Sequence, residues 1–201
     1  MAGQPTLIIV ATPCSAAFPE RADGLWQRMS HIVRNAADSG MPAVCALPYG
    51  VAQGTVSLPP TCWVLEQPRA SAAAATSIHT LARVVQATSQ SPGWLYQPAS
   101  ADLPSGASLQ RIAHALQRHA LVVPTHQGLP CYPIGFGAEF YSELIRIQSG
   151  QDLTRLLARY PSADVAVDMV DAPLRPSVEP PLQSRIEPVR LASRRTHRPG
   201  P

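Results

Sequence analysis

Thr6-Leu7-Ile8-Ile9-Val10-Ala11, followed at once by Thr12-Pro13-Cys14-Ser15, decides the architecture. A short apolar run rich in β-branched residues predicts a buried strand. Leu25, Met29, Ile32, Val33 and Ala36 then share one helical face, which ends near Gly40-Met41-Pro42. The alternation continues outward. Ala43–Leu47 and Cys62–Glu66 are strand candidates, separated by a turn-rich stretch over 48–60. Ser71–Ala87 begins alanine-rich and then carries Ile78, Leu81, Val84 and Val85 at helical spacing. Trp94–Gln97, Leu121–Val123, Tyr132–Phe136 and Val165-Ala166-Val167 are further strands. Helical stripes lie between them: Leu109, Ile112, Ala113 and Leu116; Phe140, Leu144 and Ile147; Leu153, Leu156, Leu157 and Tyr160. Strands separated by helices of about ten or more residues require right-handed crossovers, hence a mostly parallel sheet in a three-layer α/β domain.

Composition narrows the chemistry. The chain has 201 residues, 45% of them hydrophobic, enough for one domain with a real core. All 16 of its basic residues are arginine, so mechanisms that need a lysine ammonium are excluded. Residues 1–170 carry 10 Arg and 10 acidic residues, so the +3 net charge comes from 171–201, with 6 Arg and 3 acids. That tail also holds 7 of the 22 prolines and is expected to be an extended or disordered appendage to a 1–170 domain. Arg194-Arg195, His197 and Arg198 lack interleaved aromatics, so the tail is a solvated segment in preference to a nucleic-acid surface. Cys14, Cys45, Cys62 and Cys131 are widely spaced, without C-x-x-C, which predicts reduced thiols, neither a zinc site nor a disulfide framework. With no long apolar span and no basic n-region at Met1-Ala2-Gly3, a cytoplasmic protein with no membrane contact is expected.

In parallel sheets ligands bind beyond the carboxyl ends of the strands, which singles out the loops at 12–24, 67–76 and 98–106. The first has no glycine before Gly24, and Pro13 removes a donor, so it is not a glycine-rich phosphate cradle. A Walker loop is excluded because it needs lysine. Small residues Ala72–Ala75 before Thr76-Ser77-Ile78 would let a ligand approach a helix N-terminus, or form an ordinary cap. Asp102, the one carboxylate of Pro98-Ala99-Ser100-Ala101-Asp102-Leu103-Pro104, suits either a Mg²⁺ site or a turn-capping role. Histidines 31, 79, 114, 119, 126 and 197 show no metal-ligand spacing; His114 and His119, five apart on a helix, do not align.

The order of these segments over residues 5–170 resembles the molybdenum-cofactor nucleotidyltransferases, the MobA-like NTP transferases, especially their cytidylyltransferase branch. Thr6–Ala11 resembles the family's first strand and Thr76-Ser77-Ile78 its Gly-rich Ser-Leu segment. Gly93-Trp94-Leu95-Tyr96 through Ala101-Asp102-Leu103-Pro104 resembles its Asp-x-Pro metal loop. Tyr132-Pro133-Ile134-Gly135-Phe136 and Ser149-Gly150-Gln151-Asp152 match two later motifs. The resemblance implies a Rossmann-like three-layer α/β/α sandwich with a mostly parallel sheet, a nucleotide-diphospho-sugar transferase-like fold, and transfer of a nucleotidyl group from an NTP, CTP or GTP, with Mg²⁺, to a phosphate-bearing acceptor such as a molybdopterin. It implies Asp102 as catalytic metal carboxylate, with Ala11, Thr12 and Ser77 at the nucleotide. The sequence departs from the family in its first loop, which lacks both glycines and lysine, and at the late Asp-x-Asp-x-Pro element, near which only Asp168 and Asp171 lie. Losing such donors removes transition-state stabilisation. The alternatives are therefore a non-catalytic relative serving a molybdoenzyme partner and a sugar-nucleotide glycosyltransferase-like domain.

Overall fold

The computed structural model describes residues 3–11, 19–47, 59–66, 77–101 and 104–169; side-chain detail of the first helix begins at Met29 and of the second at Ile78. The elements follow the order β1 (Thr6–Val10), α1 (Pro19–Asp38), β2 (Ala43–Leu47), β3 (Cys62–Glu66), α2 (Ser77–Ala87), β4 (Gly93–Pro98), α3 (Gly106–Leu116), β5 (Leu121–His126), β6 (Leu129–Pro130), β7 (Ile134–Gly137), a 3₁₀ turn (Ala138–Phe140), α4 (Tyr141–Leu144), α5 (Gly150–Arg159) and β8 (Ala163–Ala166). The expected tail at 171–201 lies outside the described residues.

All strands join one eight-stranded sheet. β1 is an interior strand, parallel to β2 on one side and β4 on the other, with β3 parallel to β2 at the edge. β7 runs antiparallel between β4 and β5. Val122 pairs with Gly135 on one side and Ala163 on the other, so parallel β8 lies outside β5. Thr125 pairs with both Pro130 and Ala166, so β6 continues the β7 side of the ladder. Two antiparallel pairings in succession restore the direction, leaving β1 to β5 and β8 pointing the same way. The sheet is mostly parallel, as expected.

β1 is buried along its whole length because it has helices on both sides. Ile8 and Val10 enter a cluster with Ile78, Leu81, Val84 and Val85 of α2, Phe140, Leu144 of α4 and Leu153 of α5. Leu7, Ile9 and Ala11 enter a second cluster with Met29, Ile32, Val33 and Ala36 of α1 and Leu109, Ile112 and Ala113 of α3. Strand periodicity of two thus sorts one strand into two cores, which is the three-layer sandwich. β7 needs a glycine to let α3 close over it: a Cβ on Gly135 would stand 3.0 Å from Leu116 Cδ1.

Three expectations change. The strand predicted at Tyr132–Phe136 starts at Ile134, after a break at Cys131–Pro133 that contains the cis Tyr132–Pro133 bond. The stripe Phe140, Leu144, Ile147 is no single helix; a 3₁₀ turn and one turn of α-helix bring the same three residues to one core. α3 ends at Leu116, so His119 is not on a helix with His114.

Candidate functional site at the carboxyl edge of the sheet

Hydrogen bonds beyond the strands fix the floor of this edge. Ala11 N–H donates to Ala46 O at 3.0 Å, and Ala99 N–H donates to Val10 O at 2.9 Å. Ala11 is therefore clamped between the ends of β2 and β4, with its methyl group buried in the α1–α3 core. Its side chain therefore does not face a ligand, and its N–H is already paired. Thr12 and Asp102, also expected here, lie outside the described residues. Ser77 is the first residue of α2. Since α2 leads back to β4, which is parallel to β1, Ser77 opens that helix at the carboxyl edge of the sheet. The structure thus brings the Ala11 backbone, the start of α2 and the exit of β4 to one edge.

The same edge holds a polar cluster that sequence reasoning did not assemble. Ser105 caps α3, its hydroxyl accepting from Ser108 N–H at 3.2 Å. Ser108 is fully buried. Its hydroxyl donates to Asp168 O and accepts from Asp168 N–H, both at 2.9 Å. It also accepts from Ser105 Oγ at 2.9 Å. Ser105 N–H donates to Asp168 O at 3.1 Å, and Pro104 bridges Met169 in antiparallel fashion. These contacts tie the exit of β8 to the loop that follows β4. Asn35 of α1 braces that loop from behind, Nδ2 donating to Pro104 O at 3.0 Å.

The tie leaves the Asp168 carboxylate exposed, 2.6 Å from Arg111 Nη2. Both side chains are open to solvent, so the pair itself contributes under about 1 kcal/mol; the buried backbone contacts do the positioning. On the far side of β8, His126 Nδ1 stands 3.0 Å from Val167 O. A carbonyl can only accept, so Nδ1 carries the proton in this contact. The signal for Ser108 and Arg111 was present as Ser105-x-x-Ser108-x-x-Arg111, the i, i+3 spacing of a helix start.

Among the described residues no group of three or more His, Cys, Asp or Glu side chains could hold a metal ion. Mg²⁺ does not need one, because it takes one or two carboxylates and fills its remaining positions with water and substrate phosphate. A carboxylate as exposed as Asp168 fits that donor set.

No protein family matches the chain at the sequence level, and no curated protein is significantly similar in sequence. Solved structures do match. Rv0371c from Mycobacterium tuberculosis H37Rv, solved in complex with manganese, superposes with a TM-score of 0.64 at 19% identity, covering 94% of this chain and 98% of that one. The 2-C-methyl-D-erythritol 4-phosphate cytidylyltransferase of Thermus thermophilus gives 0.58 at 20% identity, covering 96% and 100%. A candidate nucleotide-diphospho-sugar transferase from Desulfovibrio desulfuricans gives 0.55 at 11% identity, covering 85% and 84%. The chain has the fold of the nucleotide-diphospho-sugar transferases.

Proposed function

We propose that this protein is a nucleotidyltransferase that binds an NTP with a divalent cation at the carboxyl edge of its sheet and transfers the nucleotidyl group to a phosphate-bearing acceptor, with release of pyrophosphate. The observation that carries the reading is the Pro104–Met169 bridge, which brings the residue after Asp168 to the loop that follows β4, where the resemblance puts the metal carboxylate. Two neighbours of the same fold support it: a cytidylyltransferase and a protein solved with manganese.

In this reading Asp102 and Asp168 hold the cation, Mg²⁺, which supplies neutralisation of the phosphate charge when bound. The Ala11 backbone and Thr12 border the nucleotide, and Ser77 at the start of α2 meets the base or ribose. Arg111 contributes a cation at an edge that has no lysine, placed by its contact with Asp168. The nucleotide is CTP or GTP and the acceptor a molybdopterin, following the sequence resemblance. A second reading rests on the first loop, where residues 12–18 include neither glycine nor lysine: a non-catalytic relative that keeps the scaffold and serves a molybdoenzyme.

Thermal unfolding with nucleotides separates the two. A ligand that binds only the native state raises the melting temperature, by about 2.7 kcal/mol of stability at a hundredfold excess over Kd. CTP or GTP with Mg²⁺ should give such a rise, and Asp102→Ala should lose its metal-dependent part. No rise with any NTP sinks the proposal and favours the non-catalytic reading. A rise with nucleotide sugars alone points to glycosyl transfer.

A further inference from the structure

Cys45 and Cys62 lie on adjacent parallel strands and were not expected to meet. The register pairs Ala43 with Cys62 and Cys45 with Val64, so the two cysteines share the face that packs against α1, two residues out of step. Their sulfurs are 3.6 Å apart, in hydrogen-bonding contact. The two thiols are not equivalent. Cys45 is 1% exposed inside the core, whereas Cys62 is half-buried at the amino end of the edge strand. This is the opposite end of the sheet from the cluster around Asp168.

We propose that Cys62 is a modification site, a nucleophilic thiol oxidised by hydroperoxides, with the buried Cys45 S–H as its activating hydrogen-bond donor. The asymmetry of burial decides the roles. A thiolate is better tolerated at the half-buried position, and the remaining S–H of Cys45 then points at it. The thiol of Cys45 is pushed well up, first by its hydrogen bond to Cys62 and then by burial. That of Cys62 is held down, first by the hydrogen bond from Cys45. Glu66 lies four residues further along the same face of β3, while His31, Arg34 and Asp38 of α1 are exposed, away from the stripe that packs on it; none of them is a cause of the Cys62 shift. Among the described residues, the neutral Cys62 S–H makes a long 3.9 Å contact to Trp63 O beside its contact with Cys45.

The step is a two-electron oxidation. The Cys62 thiolate attacks the distal peroxide oxygen, an S–O bond forms, the O–O bond breaks, and the leaving alkoxide or hydroxide takes a proton. Sulfenic acid and an alcohol or water result. A direct disulfide is disfavoured, because a bond of about 2.05 Å between residues two out of register needs the strands to shift.

The full-length protein is treated with hydrogen peroxide in the presence of a 1,3-dione that traps sulfenic acid, and each cysteine is followed by peptide mass spectrometry. The adduct is expected on Cys62 and to be lost in Cys62→Ser. Cys45→Ala should slow it by about fivefold, while Cys45→Ser, which keeps an O–H donor, should stay within about twofold of wild type. Far-ultraviolet circular dichroism of both Cys45 variants establishes that they are folded. An equal rate in Cys45→Ala, an adduct on Cys45 instead of Cys62, or a Cys45–Cys62 disulfide as the product would each overturn the proposal.

Discussion

Replacing Ser108 by alanine tests whether the exit of β8 is held to the site by one buried hydroxyl. That hydroxyl donates to Asp168 O and accepts from Asp168 N–H, each at 2.9 Å, in a residue with no solvent exposure. Asp168 O keeps a second donor, Ser105 N–H at 3.1 Å. Asp168 N–H and the Ser105 hydroxyl both lose their bond to the buried hydroxyl, and two such hydrogen bonds at about 0.5–1.5 kcal/mol each cost about 1–3 kcal/mol. For a domain of this size that is a fall in melting temperature of about 4–8 °C at the middle of the range. Arg111→Ala is the control: it removes the exposed bond to Asp168, with side-chain exposures of 46% and 80%, and a longer 3.2 Å contact from Nη2 to Ser108 Oγ, leaves both Ser108–Asp168 bonds in place, and should cost less than about 1 kcal/mol. Urea unfolding at constant m-value reads both. If Ser108→Ala lost less than about 0.5 kcal/mol, or Arg111→Ala lost as much as Ser108→Ala, the assignment of the positioning force to the buried hydroxyl would be wrong.

Two further outcomes follow from the fold. Gly135→Ala places a Cβ 3.0 Å from Leu116 Cδ1 and 3.3 Å from Leu95 Cδ2, so these two side chains must give way between α3 and the sheet; denaturant unfolding should show a loss of about 1–3 kcal/mol. Asp152 at the start of α5 has its carboxyl held low, first by the Ser149 hydroxyl and then by the Gln148 N–H. A depressed native value contributes stability that is present above the unfolded value of about 3.9 and is lost as pH falls through the lower native value. The stability gap between wild type and Asp152→Asn should therefore be full at neutral pH and close on acidification below about pH 3.9; a gap that stays constant down to about pH 2 would contradict this.

Local pattern and long-range contact differ in how far the sequence discloses them. The limits of β2 and β3 coincide with the expected strands because turn-forming residues bound both runs. The 3.6-residue stripes of α1, α2 and α3 are the residues that fill the two cores. At Tyr132-Pro133 the same reasoning places the strand start two residues early, since an apolar pattern carries no sign of a break in the ladder. Phe140, Leu144 and Ile147 show that helical spacing records a shared buried side even where the backbone is only partly helical. The site is less legible. Ala11 and the opening of α2 follow from the strand order, but the Ser108–Asp168 contact spans 60 residues of chain and has no local signature. Asp168 lay near a family element that it does not match, so its proposed role rests on the three-dimensional pairing of Pro104 with Met169. The Cys45–Cys62 contact was hidden for the same reason: their spacing along the chain fits no motif, and the register of two strands brings them together.

The central claim is that the carboxyl edge carries out nucleotidyl transfer, and pyrophosphate release measures it most directly. With CTP or GTP, Mg²⁺ and a molybdopterin acceptor, the account predicts pyrophosphate formation that depends on the acceptor, stops on chelation of the metal and is abolished in Asp102→Ala. Tight NTP binding with no pyrophosphate under any of these conditions would contradict it, and would leave a scaffold that binds nucleotide without turning it over.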